Sequence, residues 1–334
     1  MSPQSSLLLF LVECSPRVGT GHLRRCSTLA RHLNTLGWKT EFQIFGPPSE
    51  LLPQAAIASI LGDLPWYPYT SPLSRPAKVV IVDVTPALQK AAVVECRDQN
   101  LPCIALDYLQ PDLLPDEVVT LRDLSGFMRE AFEKAKRPQT YHEGVEYAMM
   151  RPSILRQRAH APLPGQNGVL DVMVTLGGAD PKGLTLEAID LLRPWRNRLG
   201  QVTIVLGPGV GRELEAQVCH AAAQLAFNTV KAPANFDEIL SHTDLVLCNG
   251  GGTVLEALFL GRLVAVLPQT DAESAFSNPF CQQQACVWAR EIGRIIETTE
   301  QERLEFARRA ASIVDGQGLN RLTALISSLA NLKN

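Results

Sequence analysis

The sequence predicts an α/β protein of two doubly wound domains facing across a cleft. Short apolar runs alternate with amphipathic segments along the chain, the pattern of parallel strands covered by helices. The two halves are separated by Ala161-Pro162-Leu163-Pro164-Gly165-Gln166-Asn167-Gly168, a stretch with the composition of a linker. In each half, apolar strands run into glycine-rich turns that open helices, and sheets of this kind bind ligands at those strand ends. The expected division is a first domain over 1–160, a linker over 161–168 and a second domain over 169–334, with the C-terminal helices packing back.

In the first half the strands are expected at Leu7–Val12, Thr40–Ile44, Val79–Val82, Cys103–Leu106 and Val118–Thr120. A helix from His22 to Leu36 joins the first two and ends at Gly37. Its Leu23, Cys26, Leu29, Ala30 and Leu33 recur three and four residues apart, so one face is buried. In the second half strands are expected at Asp171–Leu176, Val202–Leu206, Leu245–Cys248 and Val264–Leu267. Helices are expected at about Gly183–Leu192, Arg212–Leu225 and Gly252–Leu260, and the chain closes with helical segments near Glu300–Val314 and Gly318–Leu329.

Composition narrows the class. A chain of 334 residues is comfortable with two cores. With 46% hydrophobic and 19% charged residues it is an ordinary globular composition, not a disordered one. Lys+Arg 31 against Asp+Glu 34 gives a net charge of −3, which supplies no electrostatic reason to expect nucleic acid, a local basic cleft aside. Leu7–Val12 is too short to span a bilayer and lacks the flanks of a signal peptide, so it reads as a buried first strand and no transmembrane segment is expected. The 8 cysteines form no C-x-x-C pair, which predicts a reduced, cytoplasmic chain without a cysteine zinc site. The oligomeric state is left open.

The richest stretch is Leu245-Val246-Leu247-Cys248-Asn249-Gly250-Gly251-Gly252-Thr253-Val254-Leu255-Glu256. A buried strand breaks into glycines and opens a helix. Backbone N–H groups at such a turn, with the positive end of the helix dipole, favour a phosphate or diphosphate. Glu256 follows about one turn later, where a carboxylate reaches sugar hydroxyls next to bound phosphates. The alternative is a tight turn with no ligand.

Two more glycine turns follow strands. Arg17-Val18-Gly19-Thr20-Gly21-His22-Leu23-Arg24-Arg25-Cys26 is not the dinucleotide fingerprint, because Arg24 stands where a third glycine belongs, and it lacks the P-loop ending. His22 is placed either to act as a general base or to pack at the start of its helix. Arg25 serves a phosphate or carboxylate, or is a solvated charge. Thr175-Leu176-Gly177-Gly178-Ala179-Asp180-Pro181-Lys182-Gly183 repeats the strand-to-glycine pattern, and two such turns in one domain can converge on one diphosphate. Val230-Lys231-Ala232-Pro233-Ala234-Asn235-Phe236 offers a wall for a nucleobase, with Phe236 otherwise a core residue of the next helix. Asp83 and Asp107 end strands, as caps of the next turn or facing the cleft. His142, His160, His220 and His242 show no metal-ligand spacing.

Taken in order, these motifs resemble a known family. Gly19-Thr20-Gly21-His22-x-x-Arg25-Cys26, Tyr147-Ala148-Met149-Met150-Arg151-Pro152, Leu176-Gly177-Gly178-Ala179-Asp180-Pro181, Gly250-Gly251-Gly252-Thr253-x-x-Glu256 and Gly316-x-Gly318-x-x-Arg321 are similar to the series in the UDP-2,4-diacetamido-2,4,6-trideoxy-β-L-altropyranose hydrolases of pseudaminic acid synthesis. They also resemble the related spore coat polysaccharide proteins and, more distantly, the lipid II-forming N-acetylglucosaminyltransferase.

The resemblance implies two Rossmann-like domains of the glycosyltransferase-B fold. It puts UDP mainly on the second domain, with Gly177, Gly178, Gly251, Gly252 and Thr253 near the diphosphate and Glu256 on the ribose; Ala234 and Phe236 of the 230–236 segment are the residues expected at the base. Gly19, Thr20, Gly21, Arg25 and Asp83 would serve the sugar. His22 would be the catalytic histidine, deprotonating or orienting the water that attacks the anomeric carbon. No metal or cofactor is implied if helix N-termini stabilise the departing diphosphate.

Three departures stand out. The family's tyrosine two residues after the aspartate is absent from Asp83-Val84-Thr85. Leu11 and Glu13 replace its first-strand Arg and Asp, and Asp271-Ala272-Glu273 replaces its Asp-Asn-Gln. With His22 retained in its loop, the expected function is a UDP-sugar hydrolase of bacterial surface-glycan or nonulosonate synthesis, its sugar or acceptor different from the family's. A glycosyltransferase using a sugar or glycan acceptor, and a UDP-binding partner subunit without turnover, are the other two readings.

Overall fold

The structure is a computed structural model that describes residues 7–15, 18–45, 51, 53–70, 73, 77–122, 126–165 and 168–332. Arg17 of the first glycine turn, and Gln166 and Asn167 of the expected linker, lie outside the described residues. The chain divides into two compact units, one formed by 1–150 with 317–334 and the other by 151–316.

The first unit is a seven-stranded parallel sheet. Its strands are β1 (Leu7–Val12), β2 (Lys39–Ile44), β3 (Trp66–Pro68), β4 (Val79–Asp83), β5 (Cys103–Leu106), β6 (Glu117–Thr120) and β7 (Tyr141–Glu143), in the spatial order β3-β2-β1-β4-β5-β6-β7. The continuous apolar run of β1 follows from burial on both faces, as all-parallel sheets require. Leu8, Phe10 and Val12 pack with Leu23, Cys26 and Leu29 of the helix Gly21–Thr35 and with Leu322 and Ile326 of the last helix, Gly318–Leu332. Leu9 and Leu11 point the other way, toward Ala92 and Val93 of the helix Pro86–Asp98 and toward Phe132. The last helix thus belongs to the first unit's core.

The second unit is a six-stranded parallel sheet of β8 (Leu170–Thr175), β9 (Leu199–Leu206), β10 (Asn228–Lys231), β11 (Leu245–Cys248), β12 (Leu263–Val266) and β13 (Val287–Trp288), ordered β10-β9-β8-β11-β12-β13. In each sheet the chain reverses its direction of travel beside the first strand: between β1 and β4, and between β8 and β11. Such switch points are where neighbouring turns diverge and leave a crevice at the strand carboxyl ends. The Gly19 and Gly177 turns, and the Asn249–Gly252 turn, all lie there.

The sequence-based strands are all present within a residue, except that β9 begins at Leu199, three residues before the expected Val202. Four strands lack a counterpart in them: β3, β7, β10 and β13, the outermost strand on each side of the two sheets. The proline–glycine stretch at 161–168 is part of the second unit. Arg262 donates to the Pro162 carbonyl, and the Gly165 N–H donates to Asp244 Oδ1 at 2.8 Å. The chain passes from the first unit to the second at Met150–Arg151 and returns at Gly316–Gln317. No helix among the described residues is long and apolar enough to cross a membrane.

Candidate functional site

In the first unit the chain leaves β1 and turns through Gly19, whose φ of +78° favours glycine. The Gly19 N–H donates to the Ser15 carbonyl at 2.7 Å, and the helix begins at Gly21, a residue earlier than expected. Thr20 is its N-cap residue but makes no side-chain cap bond; its hydroxyl accepts from Arg24 Nε at 3.2 Å. The first helical turn therefore keeps its amide donors clear of a capping side chain.

Helical spacing brings His22, Arg25 and Cys26 over the end of β4, where Asp83 is fully buried. The ring Nδ1 of His22 is hydrogen-bonded to Asp83 Oδ1. Since an ionised carboxylate only accepts, Nδ1 carries the proton and Nε2 is the open ring nitrogen. Arg25 grips the same carboxylate, Nε to Oδ2 at 2.6 Å and Nη2 to Oδ1 at 2.5 Å. Its remaining terminal nitrogen reaches Asp107 Oδ2 at 2.5 Å, and Thr120 donates to Asp107 Oδ1 at 2.9 Å. The Cys26 thiol adds a contact to Asp83 at 3.3 Å.

Burial pushes the Asp83 carboxyl upward, but Arg25 and His22 outweigh it and hold the group well below the ordinary carboxylate range. Burial alone would lower Arg25, and Asp83 with Asp107 more than reverse that. The Cys26 thiol is pushed up by burial and then by Asp83, so it stays a neutral donor. A buried anion thus fixes the tautomer and the orientation of a half-exposed imidazole, the arrangement a general base needs.

The two unusual residues of this region are partners. Glu13 Oε2 accepts from the Thr85 N–H at 2.8 Å and from its hydroxyl at 2.6 Å. Glu13 therefore caps the turn after β4, and the Thr85 hydroxyl is committed to it.

In the second unit three turns converge. Gly177 has φ +80°, and a Cβ there would lie 3.5 Å from the Asn249 side chain. Gly207, after β9, approaches so closely that a Cβ would come within 2.3 Å of the Gly177 and Gly178 carbonyl oxygens. The helix after the Gly177 turn is already capped: Asp180 accepts from Leu184 N and Thr185 N, both at 2.9 Å. What this turn can offer a ligand is its glycine backbone, not its helix end.

The turn after β11 differs. Its N-cap residue is Gly251, so no side chain covers the first turn of Gly252–Phe259. Glu273 braces it from outside, accepting from Asn249 Nδ2 at 2.6 Å, Gly250 N at 3.2 Å and Gln269 N at 2.7 Å. Gly250 N is thereby used, and the N–H groups of Gly251, Gly252 and Thr253 are the ones aimed along the helix axis. Glu256, one turn on, is bound by Arg151 through Nε to Oε1 at 2.7 Å and Nη2 to Oε2 at 2.8 Å. Arg151 Nη1 lies 2.6 Å from Asp237 Oδ1, and its guanidinium sits 5.4 Å from the centre of the Phe236 ring. Phe236 is half-buried and outside the core clusters, and Ala234 is exposed.

The structure thus joins His22, Arg25 and Asp83 directly, and brings Gly177 beside the Asn249–Gly252 turn. Asp107, expected at a strand end, joins the first network, and among residues without an assigned role in the sequence reading Arg151, Thr120 and Glu273 complete the networks. Arg151 was visible there only as part of a quoted motif. Among the described residues no group of three or more His, Cys, Asp or Glu is placed to hold a metal ion.

No family model matches the chain. By sequence it is similar to the spore coat polysaccharide biosynthesis protein SpsG of Bacillus subtilis (strain 168), with 23% identity over 203 residues. That match covers 56% of this chain and 58% of the relative, less than two thirds of its length. By structure it is similar to MurG of Acinetobacter baumannii, with a TM-score of 0.65 and 11% identity over 97% of this chain and 99% of that one. It is equally similar to S. aureus MnaA in a co-structure with UDP, with a TM-score of 0.65 and 11% identity over 98% of this chain and 97% of that one. The fold is that of the B-type glycosyltransferases, two parallel-sheet α/β domains.

Proposed function

We propose that the protein binds a UDP-sugar on its second domain and cleaves the bond between the anomeric carbon and the diphosphate oxygen, with water as acceptor. The observation that carries this reading is the His22–Asp83–Arg25 network. A fully buried carboxylate, neutralised by a two-nitrogen arginine contact, orients a histidine whose other ring nitrogen is open.

In the proposed reaction His22 Nε2 takes a proton from water as the water oxygen bonds to the anomeric carbon. The bond from that carbon to the diphosphate breaks, and its electron pair leaves with UDP. The N–H groups of Gly251, Gly252 and Thr253 and the backbone of Gly177 and Gly178 stabilise the charge that builds on the leaving group. Glu256 accepts from the ribose hydroxyls, and Ala234 and Phe236 flank the base. The SpsG likeness supports a substrate from surface-polysaccharide synthesis, and the UDP in the MnaA co-structure supports the nucleotide.

A transferase reading is favoured by one observation. Thr85 stands where the resembled hydrolases carry a tyrosine, and its hydroxyl is tied to Glu13. The same histidine would then deprotonate a sugar hydroxyl in place of water.

The test is incubation of the protein with a panel of UDP-sugars, amino-deoxy sugars included, while free UDP is followed. Release without an added acceptor, lost in His22→Ala, supports hydrolysis. Release that rises only when an acceptor is added supports transfer. Binding of UDP with no release from any sugar nucleotide overturns both.

A further inference from the structure

Arg151 is the first residue of the second domain and the N-cap of the short helix Pro152–Gln157. Its extended backbone (φ −61°, ψ 141°) sends the side chain away from that helix's own ladder. Three different groups meet it: the Glu256 carboxylate, held by two parallel N–H···O bonds at 2.7 and 2.8 Å, the Asp237 carboxylate at 2.6 Å, and the Phe236 ring at 5.4 Å. Glu256 and Asp237 come from different helices, Gly252–Phe259 and Phe236–His242. The guanidinium ties the end of the glycine turn to the segment proposed to flank the base. Burial works against its charge, and the two carboxylates more than restore it.

The geometry at Glu256 is selective. A carboxylate has about four lone-pair positions, and a two-pronged arginine contact uses one on each oxygen. One position per oxygen is left, on a carboxylate whose rotation is now prevented. Two acceptors fixed side by side match two vicinal hydroxyls. A single freely rotating carboxylate would accept from one hydroxyl nearly as well as from two.

We propose that Arg151 is a positioning residue for the nucleotide's ribose: by locking Glu256 in register with Phe236, it makes binding depend on both hydroxyls of a ribonucleoside diphosphate. The inference rests on the UDP-sugar reading above, with Glu256 at the ribose. Arg151 itself does not touch the ligand. Loss of the lock weakens UDP more than it weakens 2′-deoxy-UDP, and so removes the distinction between a ribose and a 2′-deoxyribose.

The experiment is calorimetric titration of the full chain with UDP and with 2′-deoxy-UDP, for the parent, Arg151→Gln, Arg151→Lys and Glu256→Gln. The parent is expected to prefer UDP by roughly tenfold or more, the scale of one charge-assisted hydrogen bond. In Arg151→Gln the preference falls to within about threefold, while Glu256→Gln loses it through the acceptor itself. Arg151→Lys keeps the charge but not the planar fork, and is expected to lose most of the preference as well. This variant decides the matter should Arg151→Gln fail to fold.

A purely structural role for Arg151 would weaken both ligands equally and leave their ratio intact. Folded Arg151 variants that keep the parent's ratio overturn the proposal and leave the UDP reading standing. A parent that binds UDP and 2′-deoxy-UDP equally removes Glu256 from the ribose, and the proposal falls with it. A parent that binds neither overturns the UDP reading first.

Discussion

Arg25 holds Asp83 with two nitrogens at once, Nε at 2.6 Å and Nη2 at 2.5 Å, and so presents the buried carboxylate to His22 at a fixed angle. Asp107 and Thr120 hold the arginine in turn. The chain of contacts is directional. The most exposed member is Asp107, the arginine's second partner just beyond β5, and the most buried is the anion that orients the base.

Asp83→Asn keeps the shape of this cluster but replaces the anion by an amide that can present N–H to the ring. The wrong His22 tautomer is then stabilised. The rate of UDP release at saturating substrate is expected to fall by on the order of 10²–10⁴, with KM changed only a few-fold. Steady-state kinetics on the substrate found in the sugar-nucleotide panel provide the check. An unchanged rate would separate the dyad from the chemistry.

The same carboxylate makes stability depend on acid. Its folded pKa lies below the value of about 3.9 that an aspartate has when unfolded. Between those two values the unfolded chain binds the extra proton, so stability rises with pH there. The contribution is complete above about pH 4 and is lost as pH falls toward the folded value. Urea unfolding at steps below pH 5 should show a slope that Asp83→Asn reduces by up to about 1.4 kcal/mol per pH unit. An identical slope in the variant would mean that Asp83 is not held ionised.

Gly207→Ala tests the convergence of the second-domain turns. Its Cβ would meet the Gly177 and Gly178 carbonyl oxygens at 2.3 Å, and the Gly178 oxygen already accepts from Gly209 N at 2.8 Å. Backbone must move. A loss of stability of about 1–3 kcal/mol is expected, together with weaker UDP binding. Thermal unfolding and UDP titration report the two effects separately, and normal UDP affinity would place the diphosphate elsewhere.

The interior strands were legible in the sequence because both of their faces are buried, which writes them as unbroken apolar runs such as Leu7–Val12 and Leu245–Cys248. The four strands missing from the sequence reading are all at sheet edges. Asn228–Lys231 and Tyr141–Glu143 have no fully buried residue, and Trp66–Pro68 is mostly exposed, so no apolar signal marks them. Val287–Trp288 has only two residues.

At the candidate site, glycines and strand-end aspartates announced themselves by type and place. The partners that aim them did not. Arg151 lies 105 residues from Glu256, and Glu13 lies 72 from Thr85. Only the fold brings such pairs together. Glu273 read as a departure from the resembled pattern, and in the structure it has the separate task of bracing Asn249 and Gly250.

The central claim is cleavage at the anomeric carbon by water that His22 activates, and isotope placement tests it most directly. The reaction is run in ¹⁸O-labelled water with the sugar nucleotide that the panel identifies, and the mass of the released UDP is measured at once. The account predicts unlabelled UDP, the label appearing at the anomeric oxygen of the sugar. Label in the UDP phosphate would mean that water attacks phosphorus, and would contradict it.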